Sequence, residues 1–247
     1  MTNEMCLQLH KLTSHLPVYS WETIDEIPFL NGIYFVFEKG ETYHGLDRIV
    51  RVGINKKPDR LKERLKNHFS SKSHGSSIFI KNIGRAYLNQ ADDDYLKIWN
   101  MKKPGTLRNL QKQNYYQEKA SQYLRNNMTF TVIQVENAAI RKRLEGAVIS
   151  TLCHADDFFP SKNWLGHFSP EVKIRNSGMW VSQGLNSEIL TKSEMTAFAE
   201  LVENTLYHPS RKLLWLKCYG GVALNKISAA PPYTSLINSY KNIIEPL

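Results

Sequence analysis

A chain of 247 residues, 42% hydrophobic and 11% aromatic, suffices for one large domain or a core with an appendage. No apolar run nears the ~18 residues of a bilayer span, and Met1-Thr2-Asn3-Glu4-Met5 lacks the features of a signal peptide, so a cytoplasmic protein without a membrane partner is expected. The net charge of +9 is concentrated, with eleven Lys or Arg against two acids between Arg48 and Arg85 but six against five from Asn186 onward, and such a basic surface attracts polyanions, nucleic acid foremost.

The first thirty residues carry Pro17 and Pro28 and read as a lead-in (1–28) that packs on a core. Gly32 to Glu38 is rich in β-branched and aromatic residues. Gly40 to Asp47 supplies turn residues, and Arg48 to Ile54 reads as a second strand, giving an antiparallel hairpin. Strict alternation puts Ile49, Arg51 and Gly53 on one face of that strand. Pro58 and Asp59 suit a first helical turn. Leu61, Leu65 and Phe69 then form a buried stripe, and Arg60, Arg64 and His68 a second one beside it. Ser70 to Ser77 is a polar loop holding Lys72 and His74.

Arg85 to Asn127 reads as two helices separated by Lys103-Pro104-Gly105. Met128 to Glu136 is a strand with Phe130 and Val132 on one face and Ile133 on the other. Asn137 caps a helix whose Ile140, Leu144, Ala147, Val148, Thr151 and Leu152 follow the helical period. Phe158 to Leu165 and Ile174 to Asn186 read as irregular or short-stranded. Thr191-x-x-Glu194 is a capping-box pattern opening a helix that ends before Pro209, and Pro231-Pro232 marks a tail. The three cysteines, Cys6, Cys153 and Cys218, are too scattered for a disulfide framework or a zinc pattern.

Hydrolysis of a phosphodiester needs an activated water, positive charge on the non-bridging oxygens and usually a divalent metal at the leaving oxygen. Glu145 is the metal candidate, because its neighbours one turn on are apolar and a carboxylate at an apolar edge is costly unless paired or ligated. The competing reading pairs it with Arg141 four residues earlier. Arg64 offers a planar guanidinium for phosphate, flanked by Arg60 and His68. Tyr34 suits contact with the attacking water if a cation lies near it; a strand tyrosine in the core is the alternative. No CxxC, HExxH, Walker or GxSxG motif supports another hydrolase class.

The order of Gly32-Ile33-Tyr34, a hairpin, Gly53, a helix with Arg64 and His68, and a later strand and helix with Glu145 resembles the GIY-YIG nucleases over roughly residues 29–186. That resemblance implies an α/β (α+β) fold: a small three-stranded antiparallel sheet flanked by helices, with a helical insertion at about 85–127 and a C-terminal helical extension at 187–247. It also implies Mg2+ or another divalent cation on Glu145, with Tyr34, Arg64 and His68 completing the site. Arg51 stands where the family has its second tyrosine, so a cation is expected in that role. Asn176 and Asn186, flanking Ser177-Gly178-Met179-Trp180, are both candidates for the family's asparagine. Lys56, Lys57, Arg60, Lys66, Lys72 and His74 are the expected DNA contacts.

The resulting expectation is a metal-dependent endonuclease of double-stranded DNA, of the restriction type, with homo-oligomerisation on DNA left open. The alternative is a catalytically degenerate fold that only binds nucleic acid. A third reading makes Tyr115, Tyr116 and Tyr123 a stacking surface for RNA.

Overall fold

The computed structural model describes residues 1–70, 77–101 and 104–207. Lys72, His74, Cys218 and the Pro231-Pro232 tail lie outside them. Three strands, β1 (Gly32–Tyr43), β2 (Leu46–Ile54) and β3 (Met128–Gln134), form an antiparallel sheet in the order β2-β1-β3. The hairpin turn is only His44-Gly45, with φ of 48° and 79°, the left-handed pair that a two-residue connection requires. Both strands therefore run further into the expected turn than their composition suggests.

The faces of β2 also depart from strict alternation. Arg51 pairs with Val36 but Ile49 pairs with Phe37, leaving Val50 as an extra residue. This bulge lets Val50 and Arg51 both serve the face that holds Tyr34, whereas Ile49 joins Val52 and Ile54 on the other. A second irregularity, between Phe37 and Thr42, carries Glu38 and Glu41, both buried.

Helices cover both faces. Against one lie α1 (Thr2–Ser14), α6 (Ala138–Cys153) and α8 (Lys192–Leu206), which bury Leu9, Val148 and Phe198 on Ile33, Phe35 and Ile133. Against the other lie α2 (Leu61–Phe69), α3 (Ile78–Gln90) and α5 (Leu110–Asn127), with Leu65, Phe79 and Leu124 on Tyr34, Val36 and Phe130. Each fully buried large apolar side chain contributes roughly 1.5–3 kcal/mol, so the sheet is fixed from both sides. The short α4 (Tyr95–Trp99) packs on α3, and α7 (Val172–Ser177) follows a 3-10 turn at Leu165–Phe168.

Several boundaries differ from the pattern of the sequence. The lead-in holds a full helix, α1, whose period is masked because Gln8, His10 and Thr13 are buried beside its apolar residues. His10 Nδ1 lies 2.8 Å from Cys6 O, and Nε2 accepts the Ile49 N–H at 3.1 Å. Burial lowers its pKa to about 4, which keeps that ring neutral. Helix α2 starts at Leu61, because Asp59 is left-handed (φ 56°) and ties its N–H to Asn31 Oδ1 at 2.9 Å. Helix α3 starts at Ile78, seven residues before Arg85, capped by Ser77.

The residues from 158 to 186 contain no strand, although Trp180 N–H reaches Val50 O at 2.7 Å. The capping box of α8 forms as expected between Thr191 and Glu194. Cys6 and Cys153 are free thiols, each pushed by burial up to about 12. No helix among the described residues is long and apolar enough to cross a membrane.

Candidate active site

Tyr34 and Gly53 face each other across the β1–β2 ladder. A Cβ at position 53 would overlap the phenol ring and hydroxyl of Tyr34, so glycine is the residue that lets the tyrosine lie across the neighbouring strand. The hydroxyl meets His68 Nε2 at 2.7 Å, and His68 Nδ1 meets Ser77 Oγ at 3.0 Å. A neutral imidazole has one donor and one acceptor nitrogen, so one of these hydroxyls donates to the ring and the other accepts from it. Ser77 is thus both the cap of α3 and the outer partner of His68, a role without a sequence signal beyond its capping position.

Tyr34 and His68 are almost wholly buried, at 0% and 1% exposure. The expected contact of Tyr34 with an attacking water is therefore closed in this conformation; the pair forms a floor, because Leu61, Leu65 and Phe79 pack α2 and α3 down on the sheet. Burial lowers the pKa of His68 well below the ordinary histidine value, and the charges of Arg51 and Arg64 push it the same way. The ring is neutral at physiological pH. Such a group adds stability above the unfolded value of about 6.5, and that contribution is lost as pH falls through this value toward the folded one. In NMR of ring-labelled protein, the His68 signals are expected to stay those of neutral imidazole from about pH 7.5 to about pH 5.5. A midpoint near 6.5 would contradict the buried placement.

Arg51 projects beside the phenol. Its guanidinium lies near Tyr34 and hydrogen-bonds through Nη1 to the main-chain carbonyl of Trp180. It also lies over the Phe79 ring, 4.7 Å from the centroid, and its Nε has no partner. Burial lowers its pKa, while Tyr34 and Glu145 act against that; an arginine stays charged regardless. Sequence reasoning missed Trp180, although a buried guanidinium must find acceptors and a carbonyl serves without regard to side-chain type.

Glu145 arrives from α6, in the opposite helical layer, and lies by the main chain of Ile54 at the end of edge strand β2, within electrostatic range of Arg51 and Arg64. Burial raises its pKa; the charges of Arg51, Lys56 and Arg64 and the main chain of Ile54 pull it down. No ion pair within 4.0 Å holds it among the described residues. The pairing with Arg141 does not form, because Arg141 is buried and turns back to donate to the carbonyls of Val135 and Glu136, both at 2.7 Å. Arg64, half-buried one turn before His68, acts on Arg51, His68 and Glu145 alike.

The expected DNA contacts divide. Lys56 and Lys57 are exposed and without an ion pair among the described residues, whereas Arg60 pairs with Glu63 and Lys66 with Asp25 at 2.6 Å. Arg60 thus stands at the exposed N-cap position of α2, its side chain making no capping hydrogen bond, and does not continue the stripe of Arg64 and His68. Lys72 and His74 lie outside the described residues. The loop bearing Lys56 is anchored by two buried amides. Asn55 accepts from Gly32 N–H at 3.0 Å and donates to Asn31 Oδ1 at 2.7 Å, and Asn31 donates to Asp59 and Glu136, each at 2.8 Å. Asn176 and Asn186 are exposed and hydrogen-bond to none of Tyr34, His68 or Glu145. Tyr116 and Tyr123 are hydrogen-bonded to Asp93 and Glu38, leaving only Tyr115 of the three exposed. A groove of about 660 Å3 between α6 and α8 contains none of the site side chains.

Tyr34, Arg51, Arg64, His68 and Glu145 thus lie near one another at one end of β2, on a three-stranded sheet held between two helical layers. The chain belongs to the GIY-YIG family: the family model described as GIY-YIG domain matches residues 12–207. Its general function is accordingly of the nuclease type. No curated protein and no solved structure matches the chain.

Proposed function

We propose that this protein is a divalent-metal-dependent endonuclease that hydrolyses double-stranded DNA, and that it serves as a restriction enzyme. The observation that carries the reading is Glu145, a half-buried carboxylate that no ion pair among the described residues neutralises, surrounded at longer range by Arg51, Arg64 and Lys56. Such a carboxylate calls for a cation, and such a group of cations for an anion between them. The donor set fits Mg2+, which keeps most of its water and takes one or two carboxylates together with substrate phosphate oxygens. Glu145 would hold the cation, which when bound supplies Lewis-acid charge to the leaving oxygen.

The chain's own groups divide the remaining work. Arg64, reachable from solvent, grips the non-bridging oxygens of the scissile phosphate with two parallel N–H groups. Arg51 supplies fixed positive charge from beneath, in the place of the family's second tyrosine. Tyr34 and His68 hold β1 to α2 and so set where Arg64 stands. Lys56 and Lys57 extend the contact along the backbone. The restriction assignment is supported by α1, before the core of residues 29–186, and α8, after it, sharing one apolar cluster with the sheet. The α3–α5 region is the proposed base-reading addition.

The decisive experiment is cleavage of supercoiled plasmid and of a duplex library with Mg2+ and with chelator. Metal-dependent nicking or linearisation is expected, and its absence on every duplex would defeat the proposal. Binding should also be strongly salt-dependent. Replacing Lys56 and Lys57 by Gln is expected to reduce the slope of log affinity against log salt by about one for each phosphate contact removed. An unchanged slope would move the DNA footprint to another surface.

A further inference from the structure

Glu38 lies on β1 four residues beyond Tyr34, where β1 pairs irregularly with β2 but keeps register with Met128 of β3. It is 4% exposed. Its Oε2 accepts the indole N–H of Trp164 at 3.0 Å and of Trp180 at 2.8 Å, and its Oε1 accepts the hydroxyl of Tyr123. A carboxylate placed in a core is costly unless its oxygens are filled. Here donors from three separate segments fill them, so the residue fixes ring orientations that an apolar side chain of the same size would leave free.

The ring fixed most directly is that of Trp180, whose main chain reaches the cleft. Its N–H donates to Val50 O at 2.7 Å, and its carbonyl accepts from Arg51 Nη1. The indole lies 6.5 Å from the Phe79 ring, and Phe79 carries the Arg51 guanidinium on its face and the His68 ring 5.7 Å away at its edge. Since Arg51 Nε is unpartnered, the Trp180 carbonyl, Tyr34 and the Phe79 face are the anchors that aim this guanidinium. One of the three is set by Trp180.

We propose that Glu38 is a positioning residue of the cleft: by clamping the indole of Trp180 it fixes the carbonyl that aims Arg51, and so governs turnover without touching DNA. The kinetic part of this inference rests on the nuclease reading above. Glu38→Gln keeps the shape but loses the charge, so the two indole N–H groups exchange a charge-assisted acceptor for a weaker neutral one while the Tyr123 hydroxyl turns to accept from the amide. On the full chain with supercoiled plasmid and Mg2+, this variant is expected to lose about 10-fold in kcat with DNA affinity unchanged, because small misplacement of a reacting group is expensive. In an Arg51→Ala background the same substitution should cost nothing further. Trp180→Phe, which removes the indole donor, should behave like Glu38→Gln and serves if the latter does not fold.

Equal fractional losses in both backgrounds would mean that Glu38 acts on the fold at large and would overturn the inference. A second readout needs no cleavage. In 15N-labelled protein, the Arg51 guanidinium protons are expected as separate, slowly exchanging signals in the wild type and as averaged ones in Glu38→Gln. Inactive wild type with this spectral difference would remove the nuclease reading and keep the positioning role. Identical spectra would remove the positioning role whatever the activity.

Discussion

Glu145→Ala is expected to lower metal-dependent cleavage by about 10³-fold or more, with DNA affinity held or raised because a negative charge leaves the neighbourhood of the phosphates. Stability should hold as well. Burial raises the pKa of this carboxyl, so its ionised form opposes folding at neutral pH, and its removal relieves that cost. A structural role would give the reverse pattern: loss of folded signal in circular dichroism or a fall in Tm. Cleavage at the wild-type rate would remove the metal assignment. Because Arg141 is engaged with Val135 O and Glu136 O, the variant leaves no ion-pair partner behind to complicate the result.

Arg64→Lys keeps the charge but loses the planar fork, and turnover is expected to fall by about 10²-fold while DNA binding changes far less. The geometry sharpens this expectation. Arg64 is half-buried on α2, one turn from a His68 locked between Tyr34 and Ser77, so its backbone is fixed and a lysine cannot recover two parallel hydrogen bonds by moving the helix. Single-turnover cleavage and equilibrium binding on the same duplex separate the two effects. Equal losses in both would make Arg64 an anchoring contact only.

Much of this arrangement was legible in the sequence, and for identifiable reasons. The period of Leu61, Leu65 and Phe69, Asn137 as a cap and the Thr191–Glu194 box are local constraints, and each appears in the structure. The order of the elements sufficed for the family and for the antiparallel sheet. Local pattern failed where a residue was recruited from a distance. Helix α1 was hidden because His10 satisfies an N–H on β2 instead of facing solvent, and the β2 faces were misread because one bulge at Val50 flips every side chain before it.

The basic segment shows the same division. Charge counting treats Arg48 and Arg51 like Lys56 and Lys57, but Arg48 is buried against Glu41 at 2.6 Å and against Gly178 O at 2.6 Å, and Arg51 is buried under Trp180. Of these four, the two lysines are the ones exposed at the surface for a polyanion. The sequence alone therefore determined which residue types are present and the period at which each element repeats, because propensity, capping and strand alternation act within a few residues. Tertiary structure decided which of these groups are buried, which cations share a cleft with Glu145, and that a tryptophan carbonyl completes the shell of Arg51. Burial and electrostatic coupling depend on segments more than a hundred residues apart in the chain, and no local pattern records where those segments meet.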